Sequence, residues 1–187
     1  RMGLSFTHLF TSKYTIGGPA EEPAEYGYNR FCRFFIEQAY DFRQRDDPEA
    51  AFLPLYAELD LTPANPVTLH ADAQWSHQAD ELASANLSGR LRDRRGDRVQ
   101  VEYRYDRDAN KTLYMSLETP VTQQLKLFGH FERNLETETD IEKGIGVRWE
   151  SQCWAVEVAY LDEETDQSYM AMLELYGLGG IGDTLER

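Results

Sequence analysis

Val67-Thr68-Leu69-His70-Ala71-Asp72-Ala73-Gln74-Trp75-Ser76 decides the fold. In an extended chain Val67, Leu69, Ala71, Ala73 and Trp75 fall on one side, and Thr68, His70, Asp72, Gln74 and Ser76 on the other. Such period-two alternation marks a strand with one apolar face, because successive side chains of an extended backbone point to opposite sides. The pattern returns in Ala85, Leu87, Gly89 and Leu91, then in Val99, Val101, Tyr103 and Tyr105. It continues through Leu113, Met115 and Leu117, through Leu125, Leu127, Gly129 and Phe131, and through Ile145, Val147 and Trp149. Runs at 4–10, 31–42 and 52–61 are similar but noisier. Together with two closing runs at 151–160 and 168–176, alternation predicts an antiparallel meander of about eleven strands. Only 46–51 and 78–84 leave room for a helix.

Many of these runs are about 9–11 residues long, the length with which a tilted strand crosses a bilayer; soluble strands are nearer about 5–6. The connections fall into two alternating sets. Those at 63–66, 93–97, 119–120 and 151–152 are short; those at 43–51, 77–81, 106–111, 133–139 and 162–167 are longer or more acidic. Outer-membrane barrels alternate short periplasmic turns with longer outer loops in this way. The segment 11–28, with Gly17-Gly18-Pro19 and Pro23, interrupts the scheme and reads as an inserted loop or a miscounted strand.

The apolar face needs a cover. A membrane barrel supplies lipid, with the polar face lining a lumen; a soluble sheet supplies a second layer. The polar face is heavily charged, with Glu58, Asp60, Asp72, Glu102, Arg104, Glu118, Lys126, Glu132, Arg148, Glu150, Glu157 and Glu174. A lumen and a solvated sheet face impose the same choice. Aromatics near strand ends, among them Trp75, Phe131, Trp149, Trp154, Tyr160, Tyr169 and Tyr176, suit interfacial girdles. Strand length favours the barrel. A net charge of −14 argues against a nucleic-acid partner, since phosphate backbones need a basic surface. No apolar run is long enough for a transmembrane helix, which says nothing about strands. Arg1 precedes Met2 with no leader-like stretch, so either Arg1 is an added residue or the chain is cut from a longer protein.

The close of the chain carries the most specific pattern. Ser151-Gln152-Cys153-Trp154 leads into a strand; Asp162-Glu163-Glu164-Thr165-Asp166 is an acidic loop; Ala171-Met172-Leu173-Glu174-Leu175-Tyr176-Gly177-Leu178-Gly179 ends the last run. This tail resembles the C-terminus of the barrel in the LptD family of LPS-assembly outer-membrane proteins, and the meander before it is compatible with the same barrel. The resemblance implies that 1–187 is the C-terminal portion of a large transmembrane β-barrel in the outer membrane of a Gram-negative cell. It implies a translocon that inserts lipopolysaccharide into the outer leaflet, with no bond made or broken and no cofactor. The sugar passes a polar lumen, for which His70, Asp72, Glu102, Arg104, Lys126 and Arg148 are the lumen-facing candidates. The lipid leaves by a lateral seam at the last strand, about 168–176, where Tyr169, Ala171, Leu173 and Leu175 lie. An LptE-like lipoprotein plug, outer-membrane lipid and a periplasmic N-terminal domain are the implied partners.

Two cysteines are too few for a disulfide framework, and the residues alone leave Cys32 and Cys153 paired together, free, or bridged elsewhere. Some family members carry two adjacent cysteines at the closing turn; here Gln152 precedes the single Cys153. The resemblance implies a bridge from Cys153 to the periplasmic domain, in an oxidising compartment. Against it stands a buried free thiol at a strand start. Cys32 matches no family cysteine and reads as a strand residue. His70 and Asp72 share a face at a spacing that suits a metal, yet a third ligand is missing, so a solvated face is the plainer reading. Ser76 and His77 lack a nucleophile elbow. The acidic loops 136–142 and 162–166 have the chemistry for divalent cations but read as solvated loops. The rival architecture is a smaller closed β-barrel holding an apolar ligand, with Leu69, Val101, Leu127 and Val147 turned inward.

Overall fold

The computed structural model describes residues 1–16, 25–44, 51–64, 66–107 and 109–182. The chain is an all-β meander. The strands are β1 (Met2–Ile16), β2 (Glu25–Tyr40), β3 (Leu55–Ala64), β4 (Val67–Ser76), β5 (Glu81–Arg92), β6 (Arg98–Asp106), β7 (Asn110–Pro120), β8 (Leu125–Asn134), β9 (Thr139–Glu150), β10 (Trp154–Glu163), β11 (Gln167–Leu175) and β12 (Gly179–Gly182). Their order in the sheet is their order in the chain. Phe42–Gln44 forms one 3-10 turn. No helix among the described residues is long and apolar enough to cross a membrane. Two compact units are distinguished, Arg1–Leu87 with Asp106–Asp108, and Ser88–Tyr105 with Ala109–Arg187.

Three expectations change. The strand beyond the expected eleven is β12, whose Gly179–Gly182 pairs with Met172–Leu175 of β11. The segment 11–28 is largely strand: Thr11 to Ile16 belongs to β1 and Glu25 to Tyr28 to β2, with 17–24 outside the described residues. The two-set loop pattern shrinks to the connection after β2, because hairpin ladders run on into the polar ends of the strands. Asn134 pairs with Thr139 and Asp162 with Gln167, leaving only 135–138 and 164–166 as turns. Of the two helix possibilities, 78–84 is turn and strand; 46–51 lies, except for Ala51, outside the described residues.

In the first unit the register explains the noise of the early runs. Phe10 pairs with Cys32 and Thr11 with Arg30, so Phe31 is an extra residue and the parity of β2 reverses there. Beyond it Arg33 pairs with Asp60, and Phe35 with Glu58. On β3 and β4 Asp60 then faces His70, and Glu58 faces Asp72.

The second unit shows the inversion most clearly. Along β10, Ala155, Glu157 and Ala159 are 1%, 1% and 3% exposed, while Val158 between them is 47% exposed. Leu127, Ile145, Val147, Trp149 and Leu173 are exposed as well. Phe128 is buried, and its ring lies over Gly146, with which it pairs; Ala159 pairs with Gly146 from the other side. Glycine is required at 146 because a Cβ there would overlap the Phe128 ring and meet the Val158 carbonyl. Apart from Phe128, the side chains this unit buries are polar or small, while aliphatic and aromatic ones on the other face are exposed. A closed barrel with an apolar interior requires the opposite; Leu69, Leu127 and Val147 are exposed and Val101 is half-buried.

Trp154 and Tyr160 bound the apolar face of β10, six residue steps apart, which is roughly 20 Å of strand. Trp149 and Leu175 flank the Trp154 end, and Tyr169, its ring 5.1 Å from Tyr160, flanks the other. An apolar band of about 25 Å between aromatic girdles is what a membrane barrel shows to lipid. Gly146→Val forces a branched side chain into the Phe128 ring. The expected loss is about 1–3 kcal/mol of unfolding free energy, read as a lower urea midpoint for the full-length protein in phospholipid vesicles; an unchanged midpoint would refute the packing.

Candidate functional site

In an antiparallel ladder, paired residues share a face, so register gathers polar residues from neighbouring strands into rows. The largest row crosses β8, β9, β10 and β11. Lys126 pairs with Arg148 and Arg148 with Glu157; one step along, Glu150 pairs with Ala155 and Ala155 with Glu174. Arg148 donates from Nε to Glu150 Oε1 at 2.9 Å, from Nη1 to Glu157 Oε2 at 3.3 Å and from Nη2 to Glu174 Oε2 at 2.6 Å. Lys126 Nζ donates to the same Glu150 oxygen at 2.9 Å. A guanidinium presents several donors in a rigid plane, which is why an arginine rather than a lysine can join three carboxylates on three strands. Glu157, nearly fully buried, depends most on that plane, since an isolated buried carboxylate is costly. Ala155 flanks the row with too little side chain to crowd it.

A second row crosses β2, β3 and β4 in the first unit. Arg33 Nη1 donates to Asp60 Oδ2 at 2.9 Å and to Glu58 Oε1. His70 Nδ1 meets Asp60 Oδ1 at 2.7 Å, its Nε2 lies 3.4 Å from Asp72 Oδ1, and Asn86 Nδ2 donates to Asp72 Oδ2 at 2.9 Å. The sequence paired His70 with Asp72 and lacked a third ligand; cross-strand pairing supplies Glu58 and Asp60, whose ligand atoms with that of His70 lie within 4.8 Å of one another. Arg33 is bonded to both carboxylates, so the oxygens that could ligate a cation are engaged in an ion-pair network.

The remaining candidates sort as follows. Glu102 takes hydrogen bonds from Gln100 Nε2 and Arg104 Nη2, each at 2.6 Å, so both predicted residues of β6 join one group. His130 pairs with Glu142 and stacks against Tyr114 at 6.2 Å and 22°. Ser76 and His77 do not meet: Ser76 Oγ accepts from the Ala79 N–H in a turn, and His77 Nε2 contacts Gln38 Oε1. Cys32 and Cys153 are both free within the chain, Cys32 buried and Cys153 exposed. Tyr169, Ala171, Leu173 and Leu175 lie on β11, where Leu173 and Leu175 are paired on both sides and the edge passes to β12. Outside the strands, the Thr119 hydroxyl first and Arg95 second hold the Asp97 carboxyl below the usual carboxylate range.

Sequence reading missed Arg33 and Glu142. Arg33 follows the parity reversal at Phe31, and Glu142 follows another at Ile141, since Glu132 pairs with Glu142 but Arg133 with Asp140. Parity counted inward from Arg148 through Gly146 and Gly144 would have found Glu142.

Bilayer-length strands, with an exposed apolar face opposite a face rich in paired charges, define a stretch of wall from a transmembrane-type β-barrel. Residues 28–134 match the family described as LptD, LPS transport system D. The LPS-assembly protein LptD of Aeromonas salmonicida is 26% identical over 181 residues, spanning 80% of this chain and 22% of that relative. That of Aeromonas hydrophila is 25% identical over 203 residues, spanning 92% and 25%. That of Marinobacter nauticus is 27% identical over 158 residues, spanning 80% and 20%. The chain belongs to the LptD family, and it spans between 20% and 25% of the length of these relatives.

Arg148→Met leaves Glu157 without its guanidinium; removing one partner of a buried ion pair costs about 3–5 kcal/mol. Arg148→Met with Glu157→Gln recovers part of the loss. Vesicle unfolding of the full-length protein checks both, and equal midpoints for the single and double variants would contradict the pairing.

Proposed function

We propose that this chain is the C-terminal portion of the barrel of an outer-membrane protein that places lipopolysaccharide in the outer leaflet. The observation that carries the reading is the inverted burial, with Glu157 hidden and Val158 beside it exposed. Lipid is the cover that an exposed apolar face of this height calls for, and a hydrated saccharide is the cargo that a charged inner face suits. The LPS-assembly function of the relatives supports the same direction.

In this reading His70, Asp72, Glu102, Arg104, Lys126 and Arg148 line the lumen, and the rows around Arg33 and Arg148 stiffen the wall. The lateral seam belongs at the end of the strand order. Gly179–Gly182 offers β11 only four pairs, three of them to glycines without side chains, so few cross-strand contacts reinforce this ladder. Tyr169 and Ala171 sit where β11 has β10 alone as partner among the described residues. An LptE-like lipoprotein plug occupies the lumen. Cys153, exposed in the turn between β9 and β10, reaches a cysteine of the periplasmic domain.

Cysteine labelling in intact outer membranes tests the topology. A water-soluble maleimide is expected to modify Lys126→Cys and to spare Val147→Cys, which a lipid-soluble maleimide modifies; the reverse pattern would sink the reading. In the same membranes Cys153→Ser is expected to abolish a mobility shift on non-reducing gels. Depletion of the full-length protein is expected to leave newly made lipopolysaccharide out of the outer leaflet, and normal surface delivery would remove the transport role.

A further inference from the structure

The second unit carries another group of polar side chains that the ion-pair rows do not absorb. Arg90 and Arg92 end β5, Arg98 opens β6, Ser116 and Tyr114 lie on β7, and His130 lies on β8. They line a cavity of about 360 Å³ on the polar face. Its floor is low because Ser116, a short hydroxyl, stands opposite His130 in the ladder. The Tyr114 ring, stacked with the nearly buried His130 ring and with Phe128 beyond, lines one side.

Charge sets this cavity apart. Arg98 is neutralised by both oxygens of Glu118, at 3.2 and 3.3 Å. Arg90 reaches Glu102 only at 3.9 Å, and that carboxylate is already held by Gln100 and Arg104. Arg92 has no carboxylate partner among the described residues. The adjoining turn adds Arg94 and Arg95 against Asp93 and Asp97, and Asp97 is committed to Arg95 and Thr119. In a chain of net charge −14 this is a concentrated excess of positive charge.

Guanidinium forks match the geometry of phosphate and carboxylate oxygens. Ring faces present apolar surface of the kind that the C–H side of a pyranose covers, and a serine offers a hydroxyl partner. Small-molecule sites occupy about 300–1,000 Å³, so the cavity suits a saccharide of one or two rings. We propose that it binds an acidic saccharide, a sugar carrying phosphate or carboxylate, with Arg90 and Arg92 on the oxyanion and Tyr114 against the ring. This rests on the lipopolysaccharide reading and adds to it a station for the acidic sugars of the passing glycolipid. A transit site must hold its cargo weakly enough to release it, which incompletely neutralised surface arginines achieve better than a closed pocket.

The test uses the full-length protein in two arms. In cells, a benzophenone amino acid at Gln100, which also lines the cavity, is expected to crosslink lipopolysaccharide on irradiation. In detergent, purified protein is titrated with glucose 6-phosphate, glucuronate, glucose and a hexaglutamate peptide by saturation-transfer NMR. The acidic sugars are expected to bind and glucose not to; the stronger of the two identifies phosphate or carboxylate as the group read. Arg90→Gln with Arg92→Gln weakens acidic-sugar binding at least tenfold, and Ser116→Trp, which fills the floor, abolishes it. Equal binding of glucose, unchanged binding in the double arginine variant, or stronger binding of hexaglutamate than of either sugar overturns the site. Crosslinking without sugar binding removes the site and spares the transport reading; sugar binding without crosslinking does the reverse.

Discussion

Burial of charge on one face and exposure of apolar surface on the other is the constraint on which the rest of this chain depends. A strand with that division survives only if its hidden charges are paired and its exposed side chains meet something apolar. Arg148 meets the first requirement for Glu150, Glu157 and Glu174 together. Arg33 does so for Glu58 and Asp60. Each arginine joins neighbouring strands as well as opposite charges. Side-chain pairing and backbone pairing therefore reinforce one register, and a slip of one residue would move the arginine to the apolar face.

Small residues do complementary work. Ala155, Ala159, Gly144 and Gly146 sit on the polar face next to the largest groups, Phe128, His130 and Arg148. Large and small side chains interdigitate across strands, so a single sheet packs its polar face without a second layer. The apolar cluster it holds is small: Phe128 and Ala159, with Leu161 and Met170 packed against them.

The meander itself was legible because period two survives even where β propensity is weak. Val67 to Ser76 gives both faces of β4, and the structure leaves that assignment intact. What stayed hidden were the places where two residues oppose one. Phe31 on β2 and Ile141 on β9 reverse parity, and no composition signal marks either. Arg33 therefore looked like part of a noisy run. The hairpin ends were misjudged for a related reason: Asp162 and Gln167 are polar, as loop residues are, yet they still pair. Candidate residues such as His70 and Arg148 were singled out one at a time, but their partners lie on other strands, which sequence spacing cannot reveal. The family was suspected from the closing segment, whereas the family match covers 28–134, the meander that seemed to carry no motif. Family character here resides in distributed alternation more than in a short signature.

Glu157 constrains how the wall is built. Its guanidinium partner belongs to β9, and the same guanidinium is shared with Glu174 on β11. A β10 strand delivered alone into hydrocarbon would carry a bare carboxylate near its middle, against a steep penalty. A β9–β10 hairpin would satisfy Glu157 but present an arginine whose third carboxylate is missing. Lys126 of β8 shares Glu150 with that arginine, so the row has its full set of ion pairs only in the four-strand unit from β8 to β11. The charges of this region are therefore matched as a group, once all four strands lie side by side.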